Sequence, residues 1–108
     1  MTVYDLLKNE HFSPLICPEA DREITGCYIG DLLSWVMGKA SSGDAWITIM
    51  SNINTLAVAT LTDVACVILA EGVTLEDEVL EAAKNKEINV ITTKLSAYEA
   101  ALIVKDFI

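Results

Sequence analysis

The stretch "INTLAVATLTD", Ile53–Asp63, fits a strand or a helix when taken alone, because its apolar residues alternate well enough for either. Its flanks decide the matter. "AWITIM" before it and "CVILA" after it are near-continuous apolar runs, the pattern of strands buried on both faces of a parallel sheet. Some fifteen residues separate Met50 from Cys66. Antiparallel neighbours would need only a short turn, whereas parallel neighbours need a crossover of about a dozen residues or more, usually helical. Ile53–Asp63 is therefore predicted to be a crossover helix between two parallel strands.

Working outward, the same alternation continues. Thr74 and Asp77 are spaced to cap an amphipathic helix over Glu76 to Lys84, with Val79, Leu80 and Ala83 facing inward, acids at its start and lysines at its end. "INVITT" is the last predicted strand. Ser96 with Glu99 forms a capping-box spacing ahead of a last helix carrying Ala100, Leu102, Ile103 and Phe107. Upstream, Thr2 with Asp5 starts a two-turn helix. Leu15 to Cys17 reads as a short strand confined to an edge by Pro14 and Pro18. "ITGCYIG" reads as a strand, and "DLLSWVMGKA" as a helix with Asp31 placed to cap it. "SSGD" is a loop. From Ala45 onward the order is strand then helix, three times, and a mainly parallel α/β layer fold is the economical arrangement.

Composition bounds the function. The 108 residues suit one domain, since single cores commonly form at about 100–150 residues. With 53% hydrophobic residues and two prolines, the chain has the profile of a well-buried globular domain. Its net charge of −9 repels phosphate backbones and anionic bilayers, so neither nucleic acid nor membrane is an expected partner. Asp63, Glu71 and Glu76 interrupt the longest apolar run, and the start "MTVYDLLKNEH" lacks the features of a signal peptide, so a cytoplasmic location is expected. Cys17, Cys27 and Cys66 have no CxxC spacing and His11 is the only histidine, so no metal and no cofactor is expected. "MGKAS" fails the phosphate-loop pattern, because Leu33 holds the first glycine's place and Ala40 follows Lys39.

The segment "DREITGCYIGDLLSWVMGKA…GDAWITIMSNINTLAVATLTDVACVILAEG" resembles the DRTGG domain, and is similar to the N-terminal domain of HPr kinase/phosphorylase. The resemblance runs from about Leu6 to Phe107. The naming motif matches at Asp21, Arg22, Thr25 and Gly26, while Cys27 replaces the last glycine, a departure that matters if positive φ is needed there. It implies a three-layer α/β/α domain, regulatory or scaffolding, without catalytic residues of its own. Such modules also stand beside CBS domains in nucleotide-regulated pyrophosphatases. In HPr kinase-like proteins phosphotransfer belongs to a separate domain, for which this chain has no room.

Two readings of function follow. The leading one is a non-enzymatic regulatory or interaction domain acting as a homodimer or with a partner protein. Its expected contact is the helix from Leu32 to Ala40 with Trp35 and Val36, because apolar groups at almost every angle cannot all be buried on one sheet. The alternative is a sensor for a nucleotide or phosphorylated metabolite at the carboxyl edge of the sheet. There Asn52, Asn54 and Thr55 open a predicted helix, and Thr92 and Thr93 end a predicted strand. The acids Glu76, Asp77, Glu78 and Glu81 read as a solvated helix face. An enzyme using Cys17, Cys27 or His11 is a third reading, from a different class.

Overall fold

The computed structural model describes residues 1–108. Its elements are α1 (Val3–Leu7), β1 (Phe12–Ile16), β2 (Gly26–Ile29), α2 (Leu33–Lys39), β3 (Asp44–Thr48), α3 (Ile53–Thr62), β4 (Cys66–Leu69), α4 (Asp77–Asn85), β5 (Val90–Thr93) and α5 (Ala97–Lys105). Ile53–Thr62 is indeed the crossover helix. Asn52 caps it, its side-chain oxygen accepting from the main-chain N–H groups of Asn54 and Thr55, and Asp63 ends it in the left-handed region.

The strands form one five-stranded sheet in the order β1-β5-β4-β3-β2, with β2 to β5 parallel and β1 antiparallel against β5. Each parallel step moves the same way across the sheet. Crossovers of a single hand then return on a single face, which gathers α2, α3 and α4 there. Val36, Leu56, Ala59, Val79 and Ala83 from these helices pack on Trp46, Val67, Leu69 and Val90. The other face is closed by α1 and α5, whose Val3, Leu6, Ala100 and Val104 pack on Ala45, Ile47, Cys66, Ile68 and Ile91. The alternation along β3 and β4 sends successive residues to opposite layers, as the two-residue period of a strand requires. The result is the three-layer α/β/α sandwich with a mainly parallel sheet.

Several local expectations shift. The first strand is Phe12–Ile16, so Pro14 lies inside it and Cys17 just beyond; an edge strand with a register shift between Pro14 and Ile16 accommodates the missing N–H. Asp31 does not cap α2. Its carboxylate accepts from the Thr48 hydroxyl at 2.7 Å and the Ile49 N–H at 3.0 Å, so it joins the ends of β2 and β3. Thr74 does not cap α4, whose N-cap is Glu76 with no side-chain bond. In α5 the buried positions are Ala100 and Val104, whereas Leu102 is exposed and Phe107 lies beyond the helix, also exposed. Both capping boxes, Thr2 with Asp5 and Ser96 with Glu99, form as predicted. No helix is long and apolar enough to cross a membrane.

Candidate functional site

The winding creates a cleft. After β4 the chain departs toward α4 on one face, and after β5 it departs toward α5 on the other, so the two connections diverge between adjacent parallel strands. Crevices at carboxyl edges open at such divergences. Because β1 runs antiparallel to β5, its amino end also lies here, with Phe12 opposite Thr93 and Ser13 opposite Thr92. The cleft measures about 390 Å³ and is lined by Glu10, His11, Thr74, Thr92, Thr93 and Lys94 among others.

One wall is set by the turn at Glu71 and Gly72, with φ of 59° and 75°, closed by the Val73 N–H donating to the Ala70 carbonyl. The turn is pinned to the β5 connection by Glu71 N–H to Leu95 O at 2.9 Å and Gly72 N–H to Thr93 O at 2.8 Å. Thr92 donates its hydroxyl to the Val73 carbonyl at 2.7 Å. Thr93, only 3% exposed, accepts from the Leu95 N–H at 3.2 Å and spends its own proton on no protein group. Lys94 is exposed and enters no ion pair. His11 faces Glu10, Nε2 to Oε1 at 4.0 Å.

The five candidate ligand residues are not gathered in one place. Asn52 borders a separate cleft of about 310 Å³ beside α4, shared with Ser51, Glu76 and Glu78. Its side-chain oxygen is spent on capping. Asn54 is exposed, and Thr55 is buried with a hydroxyl that has no partner. The strand β4 stands between this group and Thr92–Thr93.

The opposite, amino edge of the sheet holds the motif residues. Arg22 bonds Asp63 through both its carbonyl and its carboxylate. Thr25 donates its N–H to the Gly43 carbonyl at 2.9 Å, and its side chain lies against Gly43, whose φ of 86° and lack of a Cβ both suit that closeness. A Cβ on Gly26 would run into the Asp44 carboxylate. Asp21 is exposed and makes no side-chain hydrogen bond. Cys27 sits in β2 without positive φ, so its replacement of glycine leaves the backbone unstrained. This half of the motif is a clamp between β2, β3 and α3.

The DRTGG domain profile matches residues 22–107. The chain belongs to the DRTGG domain family. No match to a curated protein sequence was found. Among solved structures, the CBS and DRTGG domains of the regulatory region of Clostridium perfringens pyrophosphatase, complexed with the activator diadenosine tetraphosphate, align with a TM-score of 0.69 at 20% identity. The alignment covers 94% of this chain and 44% of that one, so the DRTGG chain spans less than half the length of its structural neighbour.

The DRTGG fold presents the residues expected for an interface unequally. Leu32 and Trp35 are each 60% exposed, while Val36 is fully buried on the sheet, because α2 turns that one position inward. Met37, Ile29, Ile49 and Ile53 are exposed around them. Lys39 lies over the Trp35 ring, 5.2 Å from its centre. The thiols are subdued: burial raises Cys17 and Cys27 to about 11, and raises Cys66 further. No group of three His, Cys, Asp or Glu side chains is positioned to hold a metal ion. His11 escaped the sequence-based ligand site because nothing local links residues 10–13 to residues 92–95; only the β1–β5 pairing does.

Proposed function

We propose that residues 1–108 act as one non-catalytic DRTGG regulatory domain that works as a homodimer through α2 and the carboxyl ends of β2 and β3. The observation that carries this reading is the exposed apolar group of Leu32, Trp35 and Met37, continued by Ile29, Ile49 and Ile53. Charge distribution favours a second copy as the occupant. From Gly26 to Thr62 the chain holds only two of its sixteen acids, Asp31 and Asp44, and each accepts hydrogen bonds within the fold. Two copies with a net charge of −9 each can meet there through a segment that brings no free carboxylate of its own, Glu76 and Glu78 standing beside Ile53 at the edge of the patch. Raised thiol pKa values argue against thiolate chemistry at neutral pH and support a role without catalysis. Light scattering at micromolar concentration tests the reading. The native chain should be dimeric, more firmly so as salt screens the net charge, and Trp35→Asp should give a folded monomer, since Trp35 is already largely exposed. A native chain that stays monomeric overturns the homodimer.

A second reading is favoured by the cleft at the ends of β4 and β5: the domain senses a nucleotide or phosphorylated metabolite at the carboxyl edge. Its lining of hydroxyls with Lys94 and His11 suits phosphate oxygens. The regulatory region of the similar pyrophosphatase is complexed with a nucleotide activator, which supports a ligand of that kind.

A further inference from the structure

We infer that the cleft between the β4 and β5 connections binds a small phosphate monoester without a nucleobase, its phosphoryl group held by Lys94, His11 and the hydroxyls of Thr74 and Thr93. The inference rests on the second reading above and narrows both its place and its ligand. Of the two clefts at this edge, the one at Asn52 is rimmed by Glu76 and Glu78 and carries no cation, so an anion there meets like charge. The cleft at β5 carries a lysine without an ion-pair partner, in a chain with only seven bases against sixteen acids.

Its one lining acid, Glu10, is 90% exposed beside His11, and the exposed Glu99 carboxylate also lies within electrostatic reach of that imidazole. Thr93, nearly buried, also lines the cleft, and its hydroxyl accepts a bond from Leu95 and has no acceptor for its own proton. A phosphate oxygen would supply one. Thr74 adds a hydroxyl with no protein partner, and His11 a ring N–H. The α5 amino end contributes little, because Ser96 and Glu99 already occupy it. Leu95 is the only apolar residue of the lining, and no Phe, Tyr or Trp forms a wall. A base would therefore find nothing to stack on, whereas a polyhydroxylated or carboxylated carbon skeleton matches the polar walls and the volume of about 390 Å³.

Amide NMR titration of the full chain with ribose 5-phosphate, AMP and inorganic phosphate decides the matter. Ribose 5-phosphate should shift the amides of His11, Gly72 and Thr93–Ser96, and Lys94→Gln, at an exposed and unpartnered position, should weaken binding about tenfold without unfolding the chain. AMP should bind within about twofold of ribose 5-phosphate, since a stacked base would add about fivefold or more. Tighter binding of AMP by that margin overturns the ligand class, as does inorganic phosphate binding as well as the ester. Shifts confined to Ser51–Thr55 overturn the cleft assignment while leaving the sensor reading standing. No response to any of the three at millimolar concentration removes both.

Discussion

Arg22 holds Asp63 at two points, Nη2 donating to its main-chain carbonyl at 2.7 Å and Nη1 lying 3.0 Å from its carboxylate. Asp63 is the left-handed end of α3, and its carbonyl also accepts from Gly43 at 3.0 Å. One side chain thus ties the approach to β2 to the end of α3. Arg22→Ala should lower stability by about 1–2 kcal/mol in urea titration, mostly through the bond to the carbonyl, because the exposed ion pair is screened. Lysine at this position should recover less than half, since it cannot fork across both acceptors.

Gly26 is constrained from across the sheet. A Cβ there meets the Asp44 carboxylate, which is nearly buried and already accepts from the Ser41 N–H at 2.8 Å. Gly26→Ala should cost about 1–3 kcal/mol as an overpacked site. Asp44→Ala in the same chain removes the obstacle, so a double-mutant cycle should show the two costs to be less than additive. Additive costs would show that the strand absorbs the methyl group elsewhere.

Asp31 stabilises the carboxyl ends of β2 and β3 rather than α2. Asp31→Ala, which takes the acceptor from the Thr48 hydroxyl proton and the Ile49 N–H while Thr48 still accepts from Met50, should lower stability by about 1–2 kcal/mol, and Asp31→Asn by less because the amide oxygen still accepts. Hydrogen exchange should accelerate at Ile49 and Met50 while α2 amides keep their protection. Fraying of α2 instead would reinstate the capping role.

Acid should weaken the fold. The main-chain N–H of Thr2 holds the Asp5 carboxyl below its ordinary 3.8, the Ser42 hydroxyl and then Arg22 do the same for Asp63, and the main-chain N–H of Ser96 holds Glu99 below 4.5. Each folded value lies beneath the unfolded one, so the stabilisation is complete above the ordinary values and is lost as pH falls through them toward the depressed ones. Urea midpoints should therefore be flat near neutrality and drop from about pH 4.5 downward. Ser96→Ala should flatten part of that descent.

Thiol chemistry offers a check on the proposed non-catalytic role. With Cys17 and Cys27 raised to about 11 by burial and Cys66 deep in the core, all three should react with a disulfide reagent more slowly at neutral pH than free cysteine does. Cys66 should react only on global unfolding. A thiol that reacts faster than free cysteine would reopen the enzymatic reading.

What the residues determined alone lies within short reach along the chain. The capping boxes at Thr2–Asp5 and Ser96–Glu99 formed because both partners belong to one helical turn, and the α3 crossover was legible because chain length between two buried strands admits few alternatives. Asp31 and Thr74 have the spacing of caps but do not cap, and short-range spacing cannot reveal a competing partner; for Asp31 that partner is Thr48, brought alongside only when β2 and β3 pair. The same limit applies to Val36 and Trp35, adjacent residues whose opposite burial depends on how α2 rolls onto the sheet. It applies most strongly to the cleft. His11 and Lys94 line one cleft only because β1 joins the sheet beside β5 in the antiparallel sense, and such long-range pairing is chosen by collective burial of both sheet faces rather than by local preference.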